Sequence, residues 1–201
     1  MKELYSSNYA QYVAKLDGYA GFRNKLRIEK FTKLVSPLRA DSLLEIGPNT
    51  GLLMDHWQKL GFRSVGIDIN PAVINGGKLE IIKMDAAKID FPDNSFDKIV
   101  AFEVLEHINN LRGVFAGAEK ILKPKGTFHI TFPFEFFRGQ TALLDAWHSG
   151  GGLRLAREIH VHKLTPAKIK KIIKDTPFKI KTSKIAFIPW PSFYMVLEKV
   201  L

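Results

Sequence analysis

Acidic side chains follow three predicted strands of this 201-residue chain at the points where the strands end. Glu45 belongs to the stretch SLLEI, Asp68 ends SVGID, and Asp85 ends EIIKMD. Because the carboxyl ends of parallel strands meet at one crevice, we expect the three carboxylates to converge there. A crevice lined by acids repels the phosphates of a nucleotide and favours a ligand that carries positive charge.

The first of these strands runs into a glycine turn, with the sequence LLEIGPNTG over residues 43–51. A strand, a tight turn and a helix start typically hold a nucleotide-like ligand close to the backbone. The turn lacks the glycines at positions 49 and 52 that a G-x-G-x-x-G dinucleotide site requires, and it lacks the ending of a P-loop. Glu45 instead favours S-adenosylmethionine, which carries an ammonium and a sulfonium. An ordinary strand-to-helix turn is the alternative.

This turn resembles motif I, E/D-x-G-x-G-x-G, of the class I S-adenosylmethionine-dependent methyltransferases, with Asn49 in place of the middle glycine. Asn adopts left-handed backbone angles more readily than most residues do. The resemblance implies an α/β fold: a Rossmann-like, doubly wound, seven-stranded and mostly parallel sheet whose last strand is antiparallel. The predicted cofactor-binding residues are Glu45, Gly47, Pro48, Asn49, Gly51, Asp68, Ile69, Asp85, Ala86 and Glu103.

Two of these acids have specific predicted partners on the cofactor. Asp68 lies twenty-one residues past Gly47, which is the spacing at which a Rossmann-type fold binds a ribose hydroxyl pair. In the family that the sequence resembles, an acid at the position of Asp85 accepts a hydrogen bond from the adenine amino group. A turn role for Asp68 and a helix N-cap role for Asp85 are the alternatives.

The stretch FPDNSFDKIVAFEVLEHI, residues 91–108, resembles motif IV of small-molecule methyltransferases. On a helix that begins near Val104, Glu103 and His107 would lie on one face, with Glu106 adjacent to it. We therefore predict Glu103 and His107 as catalytic residues: Glu103 nearest the sulfonium or the substrate, and His107 as a general base toward an oxygen or nitrogen acceptor. A histidine that packs against its own helix is the alternative.

The same residues raise a metal hypothesis. Glu103, Glu106 and His107 form the pattern E-x-x-E-H, and His160-x-His162 follows later. This arrangement resembles the metal sites of ubiquinone-pathway O-methyltransferases and of small-RNA terminal 2′-O-methyltransferases, which implies Mg²⁺, Mn²⁺ or Zn²⁺ bound by carboxylates and imidazoles. Similar runs occur in members without a metal, so no metal ligand is assigned from the sequence.

Flanking segments are expected to complete the site. Residues 1–40 are predicted as an N-terminal helical cap of two helices broken near Gly18 to Gly21, and residues 41–201 as the methyltransferase domain. Residues 133–165 are predicted as a substrate lid, helical from Gln140 to His148 and hinged at Gly150 to Gly152, with a structural insertion as the alternative. The side chains that these segments are expected to supply are Tyr9, Tyr12, Tyr19, Arg27, Arg154, Arg157, His160 and His162.

The amino-acid composition limits the cellular compartment and the kinds of binding partner that we predict. The chain has no Cys, which excludes disulfides and a cysteine nucleophile, and no long apolar run, so we predict a cytoplasmic enzyme. Its net charge is +10, and eight lysines lie between Lys163 and Lys184 beside the single acid Asp175. An anionic partner or acceptor is therefore one interpretation and a solvated basic face the other. The predicted acceptor is an unidentified small molecule; a nucleic-acid methyltransferase and a non-catalytic protein that binds S-adenosylmethionine are the alternatives.

Overall fold

The computed structural model describes residues 19–49, 51–70, 79–148, 150–187 and 191–200. Within these ranges, no helix has both the length and the apolar character that crossing a bilayer requires. The main elements in chain order are α1 (Tyr19–Val35), β1 (Ser42–Ile46), α2 (Leu52–Lys59), β2 (Arg63–Asp68), β3 (Ile81–Lys83), β4 (Phe96–Phe102), α3 (Leu111–Ile121), β5 (Leu122–Pro133), α4 (Leu143–His148), α5 (Leu153–Ile159), α6 (Pro166–Ile172), β6 (Phe178–Phe187) and β7 (Pro191–Lys199). Short 3-10 helices cover Ala86–Lys88 and Leu105–His107.

The strands form one seven-stranded sheet with the order β3-β2-β1-β4-β5-β7-β6. The pairs from β3 through β5 are parallel, and β7 runs antiparallel to both β5 and β6. Helices connect β1 to β2 and β4 to β5, as parallel neighbours require. The predicted sheet, with its antiparallel last strand, is confirmed.

Apolar side chains cover both faces of the sheet. On one face, Val114 and Phe115 of α3 and Ile169 of α6 pack against β4, β5 and β7. On the other face, Phe31 of α1 and Trp57 of α2 pack against β1 and β4. Thr165 caps α6 through a hydrogen bond from the Lys168 amide, as its Thr-Pro sequence predicts. The sheet is therefore held between two layers, and its strand ends remain available for the site.

Helix α1 is the second of the two helices expected in the N-terminal segment. It begins at Tyr19, within the interval Gly18 to Gly21 where the break was expected, and it includes Gly21. A glycine inside a helix costs only about 1 kcal/mol, and burial of Phe31 and Val35 against the sheet outweighs that cost. The first predicted helix, with Tyr9 and Tyr12, lies outside the described residues.

A buried chain of hydrogen bonds fixes α1 to the sheet. The Tyr194 hydroxyl of β7 donates to the Leu34 carbonyl at 2.9 Å, and it lies 2.7 Å from Nδ1 of His129 on β5. The His129 ring therefore donates from Nδ1 to Tyr194 and accepts from the Thr127 hydroxyl, 2.9 Å from Nε2. Burial lowers the pKa of His129 to about 3, so the imidazole stays neutral and the proton order is fixed.

Candidate active site

The glycine turn joins β1 to α2 at the carboxyl edge of the sheet. Gly47, Asn49 and Gly51 adopt left-handed angles, with φ of 69°, 52° and 73°. The Gly47 amide donates to the Ile67 carbonyl of β2 at 2.8 Å, which holds the turn close to the neighbouring strand. A Cβ on Gly47 would lie 2.5 Å from Cγ2 of Val104, so the turn also packs directly on the loop after β4. The sequence provides the backbone freedom that this packing requires.

Glu45 is a buried acid in β1, two residues before the turn. Its side chain is 6% exposed, and its Oε2 has no hydrogen-bond partner among the described residues. Burial, and secondarily repulsion by Asp68, raises the pKa of Glu45 to about 8. An isolated buried carboxylate is costly unless a cationic group lies beside it. Because Asp68 contributes to the pKa shift of Glu45, the two carboxyl groups lie close to each other, as expected for acids at neighbouring strand ends.

Asp68 ends β2 and faces the turn from the other side. Its carboxylate accepts from the Asn49 amide at 3.3 Å and from the Asn70 amide at 2.9 Å. Burial raises the pKa of Asp68, although these backbone hydrogen bonds oppose the shift. Ile69 follows with its side chain 59% exposed, which leaves an apolar surface beside the carboxylate. Asp68 therefore stabilises the turn after β2 through the Asn70 amide, and it also contacts the glycine turn through the Asn49 amide.

Asp85 lies beyond β3 and is exposed. Its Oδ1 accepts from the Ala87 amide at 2.9 Å and caps the short helix Ala86–Lys88. The helix-cap role considered for this acid is therefore present in the structure. The structure does not bring Asp85 into contact with Glu45 or Asp68, and its role toward a cofactor stays a prediction.

The segment after β4 corrects the expected helix start. Glu103 has φ of 53°, and only a single 3-10 turn, Leu105–His107, follows before α3 begins at Leu111. Asn110 caps α3 by accepting from the Gly113 amide, so the helix begins there and not near Val104. Glu103 and His107 therefore do not lie on one face of a helix, and that prediction was wrong. A left-handed Glu costs about 1–2 kcal/mol, and such strain is most often found at functional sites.

Glu103 is held where β4, β5, β7 and α1 meet. Its amide donates to the Thr131 carbonyl at 3.1 Å and lies 3.2 Å from the Thr131 hydroxyl oxygen. The side chains of Thr131 and Ser192 favour the ionised form of its carboxylate. Burial raises the pKa of Glu103, and attraction to Arg27 partly offsets that shift. Arg27 lies 5.7 Å above the Phe31 ring, which stacks on Phe102 beside Glu103. The positive charge of Arg27, a candidate from the sequence, therefore lies close enough to attract the Glu103 carboxylate.

Glu106, His107 and His160 form a compact cluster behind Glu103. One potential ligand atom from each lies within 4.8 Å of the others, and the two imidazole rings meet edge to face at 4.8 Å. Glu106 is 2% exposed, and its Oε2 has no hydrogen-bond partner within the described ranges. Burial, then repulsion by Glu103 and Glu135, raises the pKa of Glu106 well above its usual value. The cluster is therefore a place where positive charge or a proton is favoured.

Hydrogen bonds orient both histidines of this cluster. Nδ1 of His107 donates to the Ile159 carbonyl at 2.8 Å, and burial lowers the pKa of His107 to about 4. The ring is therefore neutral at physiological pH, with Nε2 as its unprotonated nitrogen. Nδ1 of His160 donates to Oε1 of Glu135 at 2.8 Å. A histidine held in this way by a carboxylate or a carbonyl is the arrangement that metal-ligating imidazoles show.

Glu135 is the site residue that sequence reasoning missed. It is 7% exposed, and it accepts from the Thr141 hydroxyl at 2.8 Å. Burial acts to raise its pKa, but the hydrogen bonds from His160 and Thr141 outweigh this effect and hold the pKa below the usual value. The available signal was its position: Glu135 follows the carboxyl end of β5, just as the other acids follow their strands.

Other lid residues predicted for the site lie elsewhere. Both ring nitrogens of His162 are engaged, with Lys168 and with the Asn109 carbonyl. Arg154 pairs with Glu158 on the surface, and Arg157 is exposed. Of the side chains that the lid was expected to supply, the structure brings His160 to Glu106 and His107.

A family model described as a methyltransferase domain matches residues 19–183 of the chain. The chain belongs to the class I S-adenosylmethionine-dependent methyltransferases. A Ubiquinone biosynthesis O-methyltransferase of Rhodopseudomonas palustris is 31% identical over 50% of this chain and 43% of the relative. The Sterol 24-C-methyltransferase erg-4 of Neurospora crassa is 43% identical over 27% of this chain and 14% of the relative. The methyltransferase chain thus spans less than half the length of these curated relatives.

Solved structures agree with the fold of this methyltransferase. A methyltransferase from Aquifex aeolicus superposes with a TM-score of 0.69 at 16% identity, covering 95% of this chain and 98% of that chain. A Haloferax volcanii methyltransferase, solved in a complex with the Trm112 methyltransferase activator, gives 0.73 at 13% identity and covers 96% and 95%. At these identities the likeness concerns the fold alone.

The segment after β5 carries two helices in this methyltransferase domain. Helix α4 begins at Leu143, three residues later than predicted, and α5 was not predicted at all. Gly150 has φ of 78°, with no described atom within 4 Å of a Cβ placed on it. Apolar side chains on this segment are largely exposed: Phe136, Phe137, Leu144 and Trp147.

Proposed function

We propose that the protein transfers a methyl group from S-adenosylmethionine to a small-molecule acceptor at the carboxyl edge of its sheet. The observation that carries this proposal is Glu45, a buried carboxyl without a partner among the described residues, beside Asp68 and two residues before the glycine turn. A cationic ligand supplies the charge that this carboxylate lacks, whereas a pyrophosphate would be repelled. Site residues stay as predicted from the sequence: Glu45, Gly47, Pro48, Asn49, Gly51, Asp68, Ile69, Asp85, Ala86 and Glu103 toward the cofactor.

The proposed acceptor is a small molecule that presents an oxygen or a nitrogen. The relatives are named as a sterol 24-C-methyltransferase and a ubiquinone biosynthesis O-methyltransferase. Both names favour a small molecule over a macromolecule, and the second favours an oxygen acceptor. The enzyme then aligns the acceptor in line with the sulfonium methyl and excludes water. We assign His107 as the general base, because its Nδ1 donates to the Ile159 carbonyl and its Nε2 is the nitrogen that can accept a proton. Its lowered pKa of about 4 makes it a weaker base than a free imidazole.

Equilibrium dialysis with labelled S-adenosylmethionine and with NAD tests this proposal. We expect saturable retention of S-adenosylmethionine and none of NAD, followed by methyl release in a screen of small hydroxyl and amine acceptors. Tighter retention of NAD would overturn the assignment. Retention of S-adenosylmethionine without transfer to any acceptor would instead favour the non-catalytic alternative.

The affinity for S-adenosylmethionine is expected to rise between pH 6 and 7.5, by up to about tenfold per pH unit. The reason is that Glu45, with a pKa of about 8 in the free protein, must lose its proton to meet a cationic ligand. Calorimetry in buffers of different ionisation enthalpy measures both the affinity and the released proton. The stability of the free protein should fall over pH 4.5–8, because the folded state holds this proton and the unfolded state does not.

The variant Glu45→Gln provides the comparison for this pH dependence. It should bind S-adenosylmethionine more weakly, with an affinity that no longer changes with pH and without proton release. An unchanged pH slope in the variant would assign the proton to another group.

We further propose that residues 133–165 act as a lid and residues 1–40 as a helical cap over the crevice. The lid segment leaves the carboxyl end of β5. It contributes His160 to the cluster with Glu106 and His107, and it contributes Glu135 as the hydrogen-bond partner of His160. Arg27 of the cap segment carries charge toward Glu103. Two observations support a moving lid: no described atom lies within 4 Å of a Cβ placed on Gly150, and the aromatic side chains of the segment are largely exposed.

Metal-assisted O-methylation is the second candidate. Glu106, His107 and His160 would hold a divalent ion such as Mn²⁺, Mg²⁺ or Zn²⁺, since carboxylate and imidazole ligands suit these metals. The unpartnered Glu106 oxygen and the hydrogen bonds that orient both rings fit such an ion. A bound ion would supply Lewis acidity that lowers the pKa of an acceptor hydroxyl.

Mn²⁺ is expected to raise the melting temperature and to release protons on binding, because Glu106 must ionise to ligate it. The measurements are thermal unfolding and calorimetry of the chelator-treated protein, with turnover before and after Mn²⁺ is restored. Indifference of the melting temperature, proton release and turnover to Mn²⁺ would end the metal hypothesis and leave the methyltransferase assignment intact.

A nucleic-acid acceptor is the remaining alternative. It is motivated by the eight lysines between Lys163 and Lys184, several of which are exposed on α6 and β6. Retention on RNA with a steep salt dependence, which reports several phosphate contacts, would favour it over a small molecule.

A further inference from the structure

A pocket of about 310 Å³ lies between α1 and the sheet, on strands β4 to β7. Lys98 of β4 and Thr127 of β5 line it, and these two residues are paired across the two strands. Lys98 is four residues before the last residue of β4, so about 13 Å of strand separates it from the carboxyl edge where the crevice lies. The pocket is therefore distinct from the proposed methyl-transfer site.

Four lysines line this pocket: Lys33 from α1, Lys98 from β4, and Lys181 and Lys184 from β6. Asp41 lies 3.4 Å from Lys98, and Glu198 lies 2.5 Å from Lys181. For Lys33 and Lys184, no acid of the described ranges lies within ion-pair distance. The pocket therefore retains positive charge that its own acids do not neutralise.

A bulge in strand β6 allows two of its lysines, Lys181 and Lys184, to face the pocket. The pairing with β7 shifts between Ile180 and Thr182, so Lys181 is the extra residue of the strand. A bulge lets two consecutive side chains point to the same side of a sheet, and both Lys181 and Thr182 line the pocket together with Lys184. In a regular strand Lys181 and Lys184, which are three residues apart, would face opposite sides of the sheet. The backbone irregularity thus adds a cation to the pocket.

Uncharged polar groups complete the lining. The Thr127–His129–Tyr194 chain, which fixes α1 to the sheet, forms part of the wall. Lys98 and Lys181 add to burial in keeping His129 neutral, and Nζ of Lys184 lies 5.6 Å from the Tyr194 ring centroid. Because the wall is already hydrogen-bonded and rigid, the lysines are the groups left to meet a ligand.

We propose that this pocket binds a small phosphorylated anion, with inorganic pyrophosphate as its simplest form. Ammonium groups on flexible stems are effective phosphate ligands as point charges, and here they converge from three separate elements around one cavity. The volume suits a diphosphate or a compact organic phosphate, and is too small for a folded macromolecule.

Calorimetric titration of the full chain with pyrophosphate tests this site. We expect saturable binding, and in the variant Lys33→Gln/Lys184→Gln a loss of affinity of at least about tenfold, since two charged contacts are removed. Both side chains are exposed, so the variant should fold, and an unchanged affinity for S-adenosylmethionine checks that it does. Orthophosphate and adenosine monophosphate in parallel titrations distinguish a free inorganic anion from an organic phosphate.

The variant Lys170→Gln/Lys171→Gln is the matched control. It removes the same charge from exposed positions of α6 outside the pocket, and it should change the pyrophosphate affinity less than twofold. An equal loss in both variants would show diffuse surface attraction and overturn the proposal. The absence of saturable binding would also overturn it. Displacement of pyrophosphate by S-adenosylmethionine would overturn it too, because the anion would then bind in the crevice.

Discussion

The variant Gly47→Ala is expected to lose S-adenosylmethionine binding by at least about 100-fold and to lower the free energy of unfolding by about 2–4 kcal/mol. Gly47 has φ of 69°, which strains any residue with a Cβ. The added methyl would also lie 2.5 Å from Cγ2 of Val104, so either the turn or the loop after β4 must move. Both segments line the proposed cofactor site. Urea denaturation and equilibrium dialysis measure the two effects.

The chain offers a matched control at Gly61. Its φ of 81° imposes a similar backbone strain, but no described atom lies within 4 Å of a Cβ built there. Gly61→Ala should therefore cost only about 1–2 kcal/mol and leave S-adenosylmethionine binding unchanged. Equal cofactor affinity in the two variants would mean that the glycine turn does not contact the cofactor.

The variant Glu106→Gln is expected to lose turnover by about 100-fold or more. The amide keeps the shape of the side chain but can neither ionise nor serve as an anionic ligand beside His107 and His160. Affinity for S-adenosylmethionine should stay within about threefold, because Glu106 lies behind Glu103 and is not among the predicted cofactor-binding residues. Steady-state kinetics with an identified acceptor, and dialysis with the cofactor, separate these two quantities.

The variant Glu106→Gln should also change how the stability of the protein depends on pH. Burial and the repulsion by Glu103 and Glu135 raise the pKa of Glu106, so the wild-type protein loses stability as pH rises above the unfolded-state pKa. Glu106→Gln removes that loss, and its stability relative to wild type should increase as pH rises above the unfolded-state pKa of a glutamate. Glu158→Gln, an exposed change on the lid segment and away from Glu106, should alter neither turnover nor the pH dependence. Full turnover in Glu106→Gln would exclude Glu106 from the chemistry.

The individual strands could be predicted from the sequence because buried strands have a short apolar signature. The seven-stranded sheet with its antiparallel last strand was predicted from the resemblance to the methyltransferase family. Strands β1, β2 and β4 each bury apolar runs that end in the acids used to predict the site. Glu45 and Asp68 therefore came together as expected. Their spacing follows from topology, which the alternation of strands and helices already contains.

The loop after β4 could not be predicted in the same way. The sequence VLEHI supports a helix by propensity, but the left-handed Glu103 and the cap at Asn110 divide it into a 3-10 turn and a later helix. Both depend on tertiary contacts, namely the bonds from Glu103 to Thr131 and the packing of Gly47 on Val104. Glu135 was missed for a related reason: its partner His160 is 25 residues away, and only the folded lid segment brings them together.

Strand β6 forms one border of the sheet, and its outer backbone groups face no further strand in the described part of the chain. Ile180, Ile185 and Phe187 on this strand are well exposed, which is a pattern that invites edge-to-edge pairing between molecules. The lysines that alternate with them, together with the bulge, oppose such pairing through charge repulsion and twist. Lys181 and Lys184 therefore act as gatekeepers against aggregation, so chemical acetylation of these side chains would lower colloidal stability as well as neutralise the pocket.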